Sequence, residues 1–179
     1  MLQQQFMESR MLKEVIILVA VLLVTSAVGV AQVSASLTAN STATIVTGIS
    51  CTHGTNSDLA FGTIISSVTN SGTVVVEPGS NRSSTGGPVL SGGTVSAAQF
   101  VINGQGNSVV TITLPSASVT IRSAASDAMT VDEFVSDGGD NPTLNASGNK
   151  VVSVGAKLHV GASQKSGSYT GTFSVTFAY

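Results

Sequence analysis

The C-terminal residues, 167–179, alternate with a period of two. Phe173, Val175, Phe177 and Tyr179 occupy one parity, and small or hydroxyl-bearing residues occupy the other. Successive side chains of a strand point to opposite faces, so this pattern predicts a β-strand with one apolar and one hydroxyl-rich face. Only 4% of the chain is aromatic. We therefore expect these four residues to form a central strand of the hydrophobic core.

A second alternating segment covers residues 33–49, where the odd positions are mostly apolar and the even positions mostly Ser, Thr or Asn. Its length is well beyond the average strand of about five to six residues. The pattern is typical either of one long strand or of a flexible leader that continues into a strand. Its apolar side chains are small, so it would pair best when laid between two existing strands.

The central part of the chain contains short apolar runs separated by turns rich in Gly, Ser, Asn and Pro. They indicate about eight to ten strands at roughly ten-residue spacing, with no convincing helix after the N-terminus. The predicted fold is all-β, an immunoglobulin-like or pilin-like antiparallel β-sandwich over residues 51–179. Residues 32–50 form an N-terminal extension or a first strand. We expect residues 51–57 to form a turn and the strand at 150–160 to be irregular at Gly155.

The N-terminus has the three-part layout of a secretory signal. Arg10 and Lys13 precede an apolar run at residues 15–24, and small residues follow up to Ala31. This layout predicts a signal peptide helix over residues 1–31 that is cleaved after Ala31. An uncleaved membrane anchor is the alternative, although the apolar stretch is short for a membrane span.

Two details of this segment stay open, because Met11 could be the true start and Ala35 is an alternative cleavage position. Export to the cell surface, the extracellular space or the periplasm follows from the signal. The membrane is then a partner only through the transient signal peptide. The net charge is −2, which gives no electrostatic reason to expect nucleic acid as a partner.

Cys51 is the single cysteine. It cannot form an internal disulfide, so packing alone is expected to hold the exported domain. We expect Cys51 to behave as a small buried hydrophobe rather than as a reactive thiol.

The residue types that catalysis requires are sparse. His53 and His159 are the only histidines, and no Gly-x-Ser-x-Gly elbow is present. Asp132 and Glu133 are adjacent, and neighbours on a strand point to opposite faces, so they are not expected to form a catalytic pair. We therefore predict that the protein is not an enzyme and carries no cofactor.

Asp137, Asp140 and Asn141 place oxygen ligands within one short segment that also contains Gly and Pro. Such oxygens could hold calcium. The same residue types are those that tight turns require, and a turn is the interpretation that we favour.

Several motifs in order along the chain resemble the bacterial DUF4402 family of exported proteins. They are the Phe61-Gly62 pair, the Leu114-Pro115 pair, the Val154-Gly155-Ala156 run and the Gly167-x-Tyr169-x-Gly171 motif. The resemblance covers nearly all of the predicted mature chain. It supplies no catalytic residues, and by looser analogy it implies a likeness to the pilin-type subunits of chaperone–usher systems.

Pilin-type assembly implies a subunit that lacks one strand, which the N-terminal extension of a neighbour supplies. Leu37, Ala43 and Ile45 would be the residues that plug the groove. The expected function is a fimbrial-type or cell-surface adhesive subunit, with other copies of itself and an export chaperone and usher as partners. The alternative is a monomeric exported domain that binds carbohydrate or calcium.

Overall fold

The computed structural model describes residues 36–54 and 57–179, and near the N-terminus it describes Met7, Glu8, Arg10, Met11, Lys13 and Glu14. The chain divides into two compact units, Met1–Ala43 and Thr44–Tyr179. The apolar run of the predicted signal peptide, both predicted cleavage positions and residues 33–35 lie outside the described residues.

In the first unit, the six described residues near the N-terminus have helical backbone. Residues 36–43 form no strand, and Leu37 is 98% exposed. A search of the described residues finds no helix with the length and apolar character that crossing a membrane requires.

The second unit is built from β-strands, which are numbered here in chain order. They are β1 (Ser50–His53), β2 (Ala60–Phe61), β3 (Ile64–Ile65), β4 (Gly72–Val76), β5 (Arg82–Gly86), β6 (Val89–Leu90), β7 (Val95–Ser96), β8 (Ala98–Asn103), β9 (Thr111–Thr113), β10 (Val119–Ser123), β11 (Ala128–Ser136), β12 (Asn149–Val160), β13 (Tyr169–Thr170) and β14 (Thr176–Ala178). All named pairs are antiparallel. The all-β class with antiparallel pairing is thereby confirmed, with more strands than expected because several contain only two residues.

The largest sheet has eight strands in the order β1-β8-β12-β11-β10-β13, with β4 paired to β12 and β5 paired to β4. β9 and β14 form a separate two-stranded sheet, and two further pairs join β2 to β7 and β3 to β6.

β12 is the central strand of the large sheet. Along one edge it pairs with β11, and along the other it pairs first with β8 and then with β4. Its even positions from Val152 to Val160 are buried, because alternate side chains of a strand share one face. The irregularity expected at Gly155 is a change of partner, because β12 passes from β8 to β4 at this residue without interruption.

The core is aliphatic with a small aromatic cluster on one side. Buried members include Val74, Ile102, Val131, Leu144 and Leu158. Phe134 lies 4.9 Å from Phe173 between ring centroids, and Phe100 lies 5.7 Å from Phe177. Four phenylalanines therefore meet where the C-terminal segment packs against the large sheet.

The C-terminal segment is not the single strand that its alternation predicts. β13 pairs with β10 in the large sheet, whereas β14 pairs with β9, and residues 171–175 belong to no strand. Phe173, Val175 and Phe177 are partly buried against the core. Tyr179 is 51% exposed, so the expected burial does not extend to it.

The predicted turn at residues 51–57 is wrong in its first half, because β1 pairs with β8 from Ser50 to His53. The expected burial of Cys51 is also wrong. Cys51 is exposed, because β1 lies at an edge of the sheet and its side chains are uncovered.

An arginine of β5 that the sequence did not single out joins two other segments of the chain. Arg82 Nη1 donates to the carbonyl oxygens of Phe61 at 2.6 Å, Thr63 at 3.3 Å and Gly92 at 3.2 Å. A guanidinium can satisfy several carbonyls at once, so Arg82 holds the β2 and β3 region against the loop that follows β6.

Candidate functional site

Within the described residues, loop residues hydrogen-bond to the outer edge of β9, whereas no strand pairs with the outer edge of β14. Ile112 donates its N–H to the carbonyl oxygen of Asp140 at 2.7 Å, so the backbone of Ile112 faces away from β14. Backbone direction alternates along a strand, so the N–H and C=O groups of Thr111 and Thr113 point toward β14. Ala178 and Thr176 lie opposite them on that strand. The N–H and C=O of Phe177 consequently point away from β9, toward the open edge of β14.

The open edge continues upstream of β14. Within residues 36–54 and 57–179, no backbone hydrogen bond is made by residues 172–174. Phe173 nevertheless packs against Phe134 and lies 6.4 Å from Phe100 between ring centroids. The segment is thus held by its side chains while its backbone donors and acceptors stay available. We call residues 171–178 the C-terminal edge.

A shallow cavity of about 340 Å³ lies at the end of the C-terminal edge and is lined by Val46, Gln105, Ser108, Val109 and Tyr179. The hydroxyl of Tyr179 accepts the N–H of Gln105 and donates to the carbonyl oxygen of Thr47 at 3.0 Å. Gln105 Oε1 accepts the N–H of Thr47 at 3.3 Å. These polar contacts account for the exposed position of Tyr179, and they anchor Thr47 beside the final residue.

The predicted strand-exchange residues are all uncovered. Leu37 is 98% exposed, Ile45 is 94% exposed, and Ala43 is also exposed. None of residues 36–49 belongs to a strand, whereas Ile49 is partly buried against the core. The structure does not bring Leu37, Ala43 and Ile45 into a groove, and they remain candidates for contact with another molecule.

The predicted calcium ligands lie in one turn, but two of them already accept hydrogen bonds. Asp137 Oδ1 accepts the N–H of Ser153 at 2.8 Å, and Asn141 Oδ1 accepts the hydroxyl of Thr111 at 3.1 Å. Asp140 contributes its backbone carbonyl to Ile112. These contacts are those of a structural turn, and calcium binding stays an untested prediction.

Asp132 and Glu133 point to the same face of β11, so the expectation that they point to opposite faces is wrong. Asp132 Oδ1 lies 2.8 Å from His159 Nε2, and Glu133 forms an ion pair with Lys157. Lys157 and His159 are two residues apart on β12 and share a face. A β-bulge between Asp132 and Val135, with Glu133 at a φ of 46°, turns the second carboxylate to the side of the first.

The two histidines occupy separate surfaces. His53 lies 5.1 Å from the Phe100 ring and 3.9 Å from Asp58, whereas His159 belongs to the β11–β12 surface. Among the described residues, no group of three or more His, Cys, Asp or Glu side chains could hold a metal ion.

The open backbone of β14 is the feature that sequence reasoning missed. The alternation of residues 172–179 indicates which side chains turn inward, but it does not state which neighbour each edge meets. The signal that could have indicated an open edge is Pro115, which closely follows β9 and limits the length of the β9–β14 ladder.

The described residues of the second unit form an all-β, antiparallel domain in which β14 pairs with another strand along one edge only. The chain belongs to the DUF4402 family, whose family model is described as a domain of unknown function and matches residues 49–179. The family membership expected from the sequence is thereby confirmed. No curated protein and no solved structure matches the chain. The matched region begins one residue before β1, so residues 36–48 precede it.

Proposed function

We propose that this protein is a non-enzymatic, exported structural or adhesive subunit of a bacterial surface, and that it assembles by β-strand addition. One observation carries the proposal. A segment with strand-like alternation precedes the family domain, pairs with no strand among the described residues, and exposes Leu37 and Ile45 almost completely.

Strand addition suits such a segment. The backbone hydrogen bonds of an added strand supply affinity, and every second side chain enters a pocket and supplies specificity. Leu37, Ala43 and Ile45 share one parity and would be the residues that enter the core of the acceptor. Their burial would stabilise the assembly, because exposed apolar surface that leaves water contributes about 25 cal/mol per Å².

The non-enzymatic part of the proposal rests on how the polar groups are used. His159, Asp132, Glu133 and Lys157 pair with one another across two strands. A nucleophile would require a positioned base beside it. The side chains with the relevant chemistry instead serve the sheet and its turns.

The test compares substitutions on the two faces of this segment, each made in the full chain. The double variant Leu37→Asp with Ile45→Asp should lose assembly, because each charge would have to enter an apolar groove. The matched control is Thr38→Asp with Thr44→Asp, which adds the same charge to the other face of the segment. Size-exclusion chromatography and electron microscopy report assembly, and circular dichroism reports the fold.

We expect the control to assemble like the wild type and the Leu37/Ile45 variant to remain monomeric with an unchanged fold. Assembly by both variants would contradict the use of this segment. A wild-type protein that stays monomeric under all conditions would overturn the proposed function.

Export is tested separately, on the natural product. We expect mass spectrometry of the protein recovered from its bacterial host to place the N-terminus at Gln32, or at Ser36 for the alternative cleavage position. A product that retains residues 15–31 in the cytoplasmic fraction would contradict export.

A further inference from the structure

We infer that the C-terminal edge, residues 171–178, is the acceptor of the added strand and that its occupant is the segment 37–45 of a second copy of this chain. The inference rests on the proposed function and adds the acceptor site and the partner to it. Four independent features of the described residues support it.

The first feature is hydrogen-bonding capacity. Phe177 directs its N–H and C=O away from β9, and residues 172–174 make no backbone hydrogen bond within the described part of the second unit. In an extended segment, Val175 and Tyr179 share the backbone direction of Phe177. A strand laid along this edge would therefore find a row of donors and acceptors at the spacing of a β-ladder.

The second feature is that both segments lack the residues that usually prevent an edge strand from pairing with another chain. Edge strands usually carry a charge, a Pro or a bulge that prevents pairing with another chain. Residues 167–179 and residues 36–49 contain no charged residue and no Pro. By contrast, the edge strand β5 carries Arg82 and is followed closely by Pro88. Nothing in the sequence of either segment therefore opposes the proposed strand pairing.

The third feature is the match of side-chain parity. Phe173, Val175 and Phe177 face the core but are only partly buried, while the residues between them are exposed. An added strand with Leu37, Ala43 and Ile45 on its inner face would cover these half-buried side chains. The β9–β14 sheet has two strands, and sheets generally need three or more strands or a packed partner for independent stability.

The fourth feature indicates that the added strand comes from a second copy and not from the same chain. Thr47 is anchored beside Tyr179 by two hydrogen bonds, yet Ile45, two residues earlier, is 94% exposed. Within the second unit, residues 44–49 therefore form no strand and make no ladder with the C-terminal edge. The added strand is accordingly assigned to another molecule.

The test is disulfide trapping between two differently tagged full-length chains, both with Cys51→Ser. One copy carries Thr176→Cys, at an exposed side chain of β14. The other carries Thr38→Cys, Thr42→Cys or Thr44→Cys, on the parity that would face solvent in an added strand. Directly opposite residues of neighbouring strands have Cβ atoms about 4.5–5.5 Å apart, which is close to what a disulfide requires.

The matched control places the acceptor cysteine at Thr85, an exposed position on the edge strand β5. We expect cross-linked heterodimers with Thr176→Cys to form at least about tenfold faster than with Thr85→Cys, because bound neighbours react at a high effective concentration. One of the three donor positions should dominate, because the register is set by the inward apolar residues.

The outcomes distinguish a failure of the acceptor edge from a failure of the proposed function. Polymers that form without Thr176→Cys cross-links, or with equal cross-linking at Thr85→Cys, would overturn the acceptor edge and leave the proposed function standing. A Thr176→Cys and Thr44→Cys pair placed in one chain that closes within the monomer would show self-pairing and overturn the second copy as occupant. Absence of any assembly would overturn both proposals.

Discussion

Gly155 lies against the carbonyl oxygen of Val76 so closely that a Cβ built on Gly155 would overlap it. The contact occurs where the central strand β12 passes from β8 to β4 and where the bulged strand β11 rejoins the ladder on the other side. Glycine is required here because of the close approach of a neighbouring strand.

We predict that Gly155→Ala lowers the free energy of unfolding by about 1–3 kcal/mol, because the added methyl group forces β4 away from β12. The matched control is Gly48→Ala, since a Cβ at Gly48 meets no atom within 4 Å. Urea unfolding followed by circular dichroism measures both variants. Equal unfolding midpoints for the two would show that the approach of β4 is not tight.

Truncation of the aromatic side chains tests the C-terminal segment. Phe173 and Phe177 pack against Phe134 and Phe100, and both are partly buried. We expect Phe173→Ala or Phe177→Ala to cost about 2–4 kcal/mol, toward the lower end of the range for buried Phe truncation because neither ring is fully enclosed.

The control for these truncations is Thr176→Ala on the exposed parity, which should change stability by no more than about 0.5 kcal/mol. The measurement is again the denaturant midpoint. Near-neutral results for both phenylalanines would remove the C-terminal segment from the core.

We expect Asp137 to stabilise the fold through its hydrogen bonds to the backbone of Ser153. Its carboxylate accepts the Ser153 N–H, and its own N–H donates to the Ser153 carbonyl oxygen at 3.0 Å. Asp137→Ala leaves the Ser153 N–H of a buried residue without its acceptor, at a cost of about 1–3 kcal/mol. Asp137→Asn keeps an acceptor oxygen and should retain most of the stability.

Thermal unfolding with calcium and with a chelator separates this role from metal binding. We expect the loss in Asp137→Ala to be the same in both solutions. If calcium raised the melting temperature of the wild type and not that of Asp137→Ala, the calcium interpretation of this turn would be correct.

Cys51 is exposed on β1, but partial burial raises the pKa of its thiol above the ordinary cysteine value. A raised pKa means a smaller thiolate fraction at any pH below it, and the thiolate is the species that reacts. We therefore expect Cys51 to be alkylated more slowly at pH 8 in the folded protein than in the same protein in urea. The pH at which the alkylation rate increases should also be higher for the folded protein than for the unfolded one. A folded thiol that reacts as fast as the unfolded one would contradict the effect of burial.

The alternation of the sequence was sufficient to predict the β class and much of the side-chain pattern. In the C-terminal segment it identifies the partly buried Phe173, Val175 and Phe177. These predictions succeed because the direction of a side chain in an extended backbone depends only on local geometry. The family membership was likewise readable, because its motifs follow one another along the chain.

The predictions that failed concern relations between distant residues. Cys51 is exposed because β1 is an edge strand, and the two carboxylates Asp132 and Glu133 share a face because a bulge interrupts β11. The position of β1 in its sheet leaves no mark on the local period of two. The bulge does interrupt that period, because the buried residues of β11 on either side of it, Val131 and Phe134, are three positions apart.

The sequence by itself thus determined that the chain would form antiparallel strands, and which residues of the C-terminal segment would turn toward the core. Only the tertiary structure decided that the C-terminal segment divides between β10 and β9, and that its last strand keeps one open edge. The physical reason is that alternation is a property of each extended segment, whereas the hydrogen-bond partner of each edge is selected by packing with residues far away in the chain.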